Sequence, residues 1–192
     1  SEGGAYVHNL IAGNIELRPQ SRLTPWQKPH STELGGLKKT EGGDNRYINN
    51  IFIGGVEESD RHKTGMGAYK NTVLPMRVSG NVYLDGARAF ENEMNQLIME
   101  FNPGIRIKEK TDGIYLTMEM KRPVMEMKNK LVTTKLLGKA IVPNQTFVKP
   151  DGSEIIISKD FLGKTRNEEN PVAGPFENLT KGKLRFKVWG NK

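Results

Sequence analysis

Four side chains that can hold a sugar or move a proton lie in one polar stretch of the sequence, namely His30, Glu33, Asp44 and Arg46. Cleavage of a glycosidic bond requires two carboxyl groups, one protonated and the other ionised or nucleophilic. Glu33 and Asp44 provide two carboxyl groups, and His30 could orient one of them. Arg46 is expected to pair with Glu33 or Asp44, which would keep that carboxylate ionised. The stretch is therefore a candidate sugar-binding loop.

Aromatic residues flank this loop and could hold a sugar ring against a flat face, because Trp26 precedes it and Tyr47 follows it. The loop also has an ordinary structural interpretation, since loop carboxylates are often only solvated and Asp is common in turns. Both interpretations stay open on these residues alone. No Gly-rich phosphate loop, His-x-x-x-His pair or nucleophile elbow occurs in the sequence. The predicted substrate-binding residues are Trp26, His30, Glu33, Asp44 and Arg46, and no metal site or cofactor is expected.

Composition narrows the classes of partner. The chain has 192 residues, no cysteine and a net charge of +7. The basic excess lies in residues 101–192, with 18 Lys+Arg against 10 Asp+Glu, whereas residues 1–100 have 11 against 12. These lysines alternate singly with apolar residues, so nucleic acid is not the expected partner. No apolar run approaches the roughly 18 residues that span a bilayer, so no membrane partner is expected. Without cysteines, the compartment stays open.

Three similar phrases in the first half indicate internal repetition. Each consists of an Asn, a short apolar run and a closing Gly, at residues 9–13, 50–54 and 81–86. In a parallel β-helix each rung contributes a short strand, and equivalent residues stack, so a turn Asn can hydrogen-bond the Asn of the next rung. The surplus residues, 14–43 and 55–79, would then project as loops. The alternative is three unrelated strand ends with Asn in their turns.

The second half shows the alternation of antiparallel strands. Apolar residues at every second position around a Thr111-Asp112-Gly113 turn predict a hairpin, and Lys183 to Trp189 predicts a final strand with Leu184, Phe186 and Val188 on one face. Such strands suit an antiparallel β-sandwich. Further strands are predicted at residues 130–134, 140–142 and 154–158.

The boundary between the two halves is expected near residue 100. Residues 87–101 have apolar spacing of three to four and predict a connector or a short helix. The chain is thus predicted to be all-β, with parallel β-helix rungs, long loops and the connector in residues 1–100 and the β-sandwich in residues 101–192. Aromatic residues after Asn102 fall mostly in apolar strand patterns or at turns, so the sandwich is expected to support the β-helix rather than bind carbohydrate.

Several longer phrases carry a family resemblance: SEGGAYVHNLIAG, TPWQKPHSTELGG, GGDNRYINNIFIGG, SGNVYLDGA and GKTRNEENPVAGPF. Together they cover most of the chain and resemble the C-terminal part of β-helix glycoside hydrolases of the retaining β-xylosidase type, glycoside hydrolase family 120. The most specific pieces are residues 30–33 and 43–46. The resemblance implies a right-handed parallel β-helix with a β-sandwich, and an oligosaccharide substrate of xylan or another plant glycan.

The resemblance also implies that the catalytic pair lies outside this chain. In that family the nucleophilic Asp and the acid/base Glu, the latter in a Glu-x-Asn-His-Gly-Pro phrase, precede the segment that corresponds to Ser1. Neither motif is present, and His8-Asn9 is followed by Leu10. No catalytic residue is therefore expected here, and a chain that starts at Ser is expected to be a piece of a longer protein.

The expected partners are the upstream part of the same polypeptide or further copies of the chain. The parent enzyme would be periplasmic or secreted. Two alternatives remain: a non-catalytic carbohydrate-binding or structural module, and part of a β-helix polysaccharide lyase, which would use a Lys or Arg base and calcium held by acidic residues.

Overall fold

The computed structural model describes residues 2–18, 20–55 and 62–190. Most regular structure in these ranges is β, and the helices are short: α1 is Arg122–Glu126, α2 is Thr134–Leu137, and Gly67–Tyr69 forms one turn of 3-10 helix. The chain is therefore mostly β, as the sequence predicts. Within the described ranges no helix is long and apolar enough to cross a membrane.

Parallel strands of three residues dominate the first hundred positions. Their bounds are β1 Ala5–Val7, β2 Leu10–Ala12, β5 Arg46–Ile48, β6 Ile51–Ile53, β7 Arg77–Ser79, β8 Val82–Leu84 and β9 Leu97–Met99. One ladder has the order β1-β5-β7 and the other the order β2-β6-β8-β9, and every neighbouring pair in both is parallel. The three repeated phrases contain β2, β6 and β8, so they occupy equivalent places in one ladder.

Two-residue corners join β1 to β2, β5 to β6 and β7 to β8. The second residue of each corner is an Asn, and the first has a positive φ: 53° at His8, 56° at Asn49 and 72° at Gly80. The predicted hydrogen bonds between stacked asparagines are confirmed, because Asn50 Oδ1 accepts from Asn9 and Asn81 Oδ1 accepts from Asn50.

Aromatic rings stack between equivalent positions of neighbouring strands. The rings of Tyr6 and Tyr47 lie 4.6 Å apart, and those of Phe52 and Tyr83 lie 5.2 Å apart with an interplanar angle of 6°. Tyr47 is 3% exposed and belongs to a core cluster with Phe52, Tyr69 and Tyr83. It is therefore a core residue, and the prediction that it offers a sugar platform is wrong.

The predicted connector at residues 87–101 is in part a strand. Strand β9 extends the second ladder by pairing with β8, and Leu97 N donates to Asn81 O at 3.1 Å. Only the alternative of a short helix is wrong, because helical apolar spacing is a weak local signal, whereas the free edge of β8 offers unpaired backbone groups. Leu97 and Met99 also pack against the main core.

An antiparallel sheet of order β10-β11-β14 follows, formed by β10 Arg106–Lys110, β11 Gly113–Met120 and β14 Gly182–Trp189. The predicted hairpin and final strand are thus confirmed. The sheet turns Leu116, Met118 and Met120 inward, and they share a core cluster with Ile51 and Val82 of the parallel strands. Burial of these side chains joins the antiparallel sheet to the parallel ladder.

The segment between α1 and β14 is less regular than predicted. The strands expected at residues 130–134 and 154–158 are reduced to isolated bridges, one between Thr133 and Ile156 and one between Val148 and Glu154. The reason is local, because the Thr133 hydroxyl caps α2 by accepting from Leu136 N at 3.2 Å. The strand expected at residues 140–142 is the two-residue β12, Lys139–Ala140, paired with β13, Gln145–Thr146.

Candidate functional site

The predicted polar loop is largely a β-hairpin. Strand β3, Gln20–Gln27, pairs with β4, Leu34–Thr40, in antiparallel register, and residues 28–33 form the tip. Lys28 N donates to Glu33 O at 3.0 Å, and Glu33 N donates to Ser31 Oγ at 3.0 Å. The candidate residues before position 34 are therefore carried by a projecting hairpin.

Trp26 packs against its own hairpin. A Cβ atom added at Gly35 would lie 2.1 Å from Trp26 Cζ3, and one added at Gly36 would lie 2.9 Å from Trp26 Nε1. The two glycines thus leave room for the indole ring against the strand backbone. One face of the ring is occupied in this way.

His30 joins the hairpin tip to a distant part of the chain. Its Nε2 lies 2.8 Å from Val148 O, across 118 positions of sequence. Because a carbonyl oxygen only accepts, Nε2 carries the proton in this contact. His30 itself has a positive φ of 55°. The contact brings the tip beside residues 139–152.

Glu33 pairs with Lys28 rather than with Arg46. The Lys28 Nζ to Glu33 Oε1 distance is 2.5 Å, and the Glu33 side chain is 62% exposed. An ion pair this exposed contributes about 0–1 kcal/mol to stability. The Glu33 carboxylate therefore remains accessible to solvent at the hairpin tip.

Asp44 and Arg46 form a buried ion pair. Arg46 Nη1 lies 2.6 Å from Asp44 Oδ1, and the two side chains are 0% and 2% exposed. The prediction that Arg46 pairs with one of the two carboxylates is confirmed for Asp44. Arg46 also donates to the carbonyl oxygens of Leu137 and Lys139, while Asp44 Oδ2 accepts from Ile141 N at 2.6 Å. The pair ties residues 137–141 to strand β5.

A basic cavity of about 600 Å³ lies between the hairpin tip and this tied segment. It is lined by His30 and by three lysines, Lys28, Lys139 and Lys149, together with polar turn residues such as Asn144. The backbone carbonyl of Lys139 is one of the acceptors of Arg46. The buried pair therefore supports one wall of the cavity without lining it.

The five predicted site residues do not all line one cavity. His30 lines the basic cavity, Glu33 lies at the exposed tip, and Trp26 packs on the hairpin. Asp44 and Arg46 are buried in strand β5 and the residues before it. Their assignment as substrate-binding residues stays a prediction. Lys139 and Lys149 were not singled out in the sequence, because nothing local marks residues that meet His30 only through the fold.

Glu93 and His8 are buried titratable groups outside the cavity whose pKa values are shifted. Burial raises the pKa of the Glu93 carboxyl to about 7. Burial and the nearby Arg166 lower the pKa of His8 to about 3. His8 lies at a corner, with Nε2 3.2 Å from Asn49 Nδ2, so it is a structural residue. Within the described ranges no group of three or more His, Cys, Asp or Glu side chains is placed to hold a metal ion.

The fold and the cavity define a mostly β chain with short parallel ladders and a basic site at a hairpin tip. The chain is similar to XylC, whose structure has been solved in complex with xylose, with a TM-score of 0.89 and 31% sequence identity. The match covers 98% of this chain and 33% of the XylC chain, so this chain spans about a third of that length. No protein-family model and no curated protein matches the chain.

Proposed function

We propose that this chain is the C-terminal portion of a glycoside hydrolase that acts on xylan-type or other plant oligosaccharides. The observation that carries the proposal is the similarity to XylC, solved with xylose, over 98% of this chain at 31% identity. Sequence identity at this level over nearly the whole chain supports a related function as well as a shared fold. A sugar substrate also suits a cavity rich in hydrogen-bond donors, because sugar hydroxyls accept from cationic groups.

We infer that the two parallel ladders are the final rungs of a right-handed parallel β-helix in residues 1–100. The stacking of Asn9, Asn50 and Asn81 and the aromatic stacks support this, because like residues meet when rungs repeat. We infer further that the antiparallel sheet in residues 101–192 belongs to an accessory sandwich.

The catalytic carboxyl groups are proposed to come from another part of the longer protein. Asp44 is a poor candidate for either role, since its oxygens bond Arg46 and Ile141 N and its side chain is buried. Glu33 is exposed and paired with Lys28.

The role proposed for this chain is to supply sugar-binding loops. In the basic cavity, Lys139 and Lys149 can donate to sugar hydroxyls, and His30 is held by Val148 O. Trp26 and Glu33 lie on the same hairpin and would contact more distant sugar units. The buried pair of Asp44 and Arg46 would act by holding the cavity wall in place.

Calorimetric titration of the chain with xylotriose tests this role. The double variant His30→Asn/Lys139→Ala should bind at least tenfold more weakly, because one lysine donor is removed and the contact of His30 with Val148 O, which holds the hairpin tip, is lost. Asn tolerates the positive φ at position 30. Lys130→Ala, an exposed lysine outside the cavity, is the matched control and should bind like the wild type. Unchanged binding by the double variant, or no binding by the wild type, would contradict the proposal.

An aryl xyloside assay tests the location of the catalytic pair. The chain alone should show no turnover, whereas the longer protein that contains it should hydrolyse the substrate. Turnover by the 192-residue chain would show that the pair lies within it and would overturn that part of the proposal.

A second candidate function, a carbohydrate-binding module, is favoured by two exposed rings. Phe161 is 61% exposed and Trp189 is 74% exposed, and both line a cavity of about 760 Å³. Exposed aromatic faces are suited to hold sugar rings. If Trp189→Ala, rather than the His30→Asn/Lys139→Ala variant, abolished xylotriose binding, the module function would replace the first proposal.

A further inference from the structure

The outer face of the antiparallel sheet is strongly basic. Residues that are paired across neighbouring strands project to the same side of the sheet. In two of these cross-strand rows, a central residue of β11 lies between a cation of β10 and a cation of β14. Thr117 lies between Arg106 and Arg185, and Tyr115 lies between Lys108 and Lys187. The opposite side carries Leu116 and Met118 into the core, so this row pattern faces away from it. The six cations of the face are Arg106, Lys108, Lys110, Lys183, Arg185 and Lys187.

Few carboxylates compensate this charge. Glu119 lies on the same face but pairs with Lys121 at 2.6 Å, and Asp112 at the turn lies 3.8 Å from Lys187. The other five cations of the face take part in none of the ion pairs found among the described residues. These cations lie on two strands separated by β11 and at alternate positions along each strand, where like charges repel, so an anionic partner would relieve that repulsion.

The spacing of the cations suits a polymer. Strands lie about 4.8 Å apart, so the cations of β10 and β14 are separated by about 10 Å across the face, and alternate residues along a strand by about 7 Å. Two cavities, of about 480 and 540 Å³, run over this face, and both are lined by Arg106, Thr117 and Arg185. A chain of regularly repeated anions could therefore lie in a continuous trough between two rows of cations.

We propose that this face binds an acidic polysaccharide, a sugar polymer whose uronic-acid units carry carboxylates. The arginines can bind carboxylates in bidentate fashion, and the lysines add point charges. The exposed Trp189 ring lies at the end of β14, beyond a register shift that pairs Tyr115 with Lys187 and Ile114 with Trp189, and it can hold a sugar unit at this end of the sheet. The face is separate from the hairpin cavity, so it would retain a substituted polymer while other parts of the protein act on it.

A single-stranded nucleic acid is a less suitable occupant. Proteins that bind single strands stack successive bases on exposed aromatic rings. The Tyr115 ring in the middle of the face is covered by cations, with Arg185 Cζ 3.9 Å and Lys110 Nζ 5.5 Å from its centroid. The choice of a sugar polymer over other polyanions rests on the proposed function, whereas the binding of a polyanion rests on the charge of the face alone.

Affinity electrophoresis of the 192-residue chain through gels containing polygalacturonate or glucuronoxylan tests the proposal. Lys108→Glu/Lys183→Glu should reduce retention by both polymers at least tenfold. The control Lys128→Glu/Lys130→Glu changes the net charge equally at exposed lysines away from the sheet, and should reduce retention less than twofold. The variant Lys108→Arg/Lys183→Arg keeps both positive charges and should keep wild-type retention. Thermal unfolding of all variants should be similar, because the substituted side chains are exposed.

Equal loss of retention by the two Glu double variants would show a mere net-charge effect and would overturn the proposal. It is also overturned if an oligodeoxynucleotide competes as well as polygalacturonate at equal charge and salt, or if the wild type is not retained. Repulsion between sheet edges is another role for charged edge strands. If the Lys108→Glu/Lys183→Glu variant dimerises in sedimentation and keeps polymer retention, that role replaces binding. None of these outcomes depends on xylotriose binding, so failure here is separate from failure of the proposed function.

Discussion

Asn81 directs two donors to a single oxygen of Glu93. Its backbone N and its Nδ2 each lie 2.8 Å from Glu93 Oε1. In the two preceding corners, the same two donors of Asn9 and Asn50 bond the Oδ1 of the next asparagine. Glu93 therefore ends the series by replacing a fourth asparagine, and its other oxygen accepts from the Tyr83 hydroxyl at 2.5 Å.

The loss of this acceptor should destabilise the protein. Glu93→Ala leaves the two Asn81 donors and the Tyr83 hydroxyl without a partner in a buried place, and should lower the free energy of unfolding by about 3 kcal/mol. Glu93→Gln keeps an acceptor oxygen for Asn81 and should lower it by less. Urea unfolding followed by circular dichroism measures both. Equal stability of the Ala variant and the wild type would show that the terminal acceptor is dispensable.

Glu93 should also make stability depend on pH. Burial raises its pKa to about 7 in the folded protein, above the ordinary 4.5, so the folded state holds the proton more tightly. This stabilisation is fully present below pH 4.5 and is lost as pH rises through 7, with a slope of up to about 1.4 kcal/mol per pH unit. Urea unfolding between pH 4.5 and 7.5 should show that slope as a difference between wild type and Glu93→Gln. A constant difference would exclude the raised pKa.

His8 should act in the opposite direction. Burial and Arg166 lower the pKa of His8 from 6.5 to about 3, so between these pH values His8 is protonated in the unfolded chain but neutral in the folded protein. Stability is therefore lost as pH falls from 6.5 towards 3, again by at most about 1.4 kcal/mol per unit. The variant His8→Asn, which tolerates the positive φ at this corner, should lose less stability on acidification. The comparison is sharpest in a Glu93→Gln background, where the opposing carboxyl is absent.

Breaking the buried ion pair should affect folding more than any exposed pair. Asp44→Asn leaves the charge of Arg46 uncompensated, and should lower the free energy of unfolding by about 3–5 kcal/mol. Glu33→Gln is the matched control, because it removes a carboxylate charge from the exposed pair with Lys28, and should change stability by less than about 1 kcal/mol. Chemical unfolding of both variants at pH 7 provides the measurement. Similar losses would mean that burial of Asp44 has no energetic consequence.

Gly35 should control the position of the Trp26 ring. In Gly35→Ala the new methyl group would meet the indole at 2.1 Å, so the ring must move away from the strand towards solvent. Trp26 emission should shift to longer wavelength. The measurement is made in a Trp189→Phe background, because the chain has two tryptophans and Trp189 is already exposed. An unchanged spectrum would show that the hairpin backbone moves instead.

The sequence by itself indicated the repeated short strands and the asparagine contacts between them, and the structure decided that these strands pair in parallel. Each depends on a local signal, an Asn followed by short apolar residues, and the same signal at each corner brings the same donors and acceptors together. The sequence also predicted the hairpin around the Thr111-Asp112-Gly113 turn and the final strand, because apolar residues at every second position mark the buried face of a strand.

Only the tertiary structure decided which candidate residues meet. His30 reaches Val148 across 118 positions, and Arg46 reaches Leu137 across 91, contacts that no local pattern records. Residues 97–99 form strand β9 despite their helical apolar spacing, because the edge of β8 was free to pair with them. The strand predicted at residues 130–134 does not form, because Thr133 caps helix α2 instead. Such outcomes depend on the sum of burial and hydrogen bonds between distant segments, and that sum outweighs the small energies of local preference.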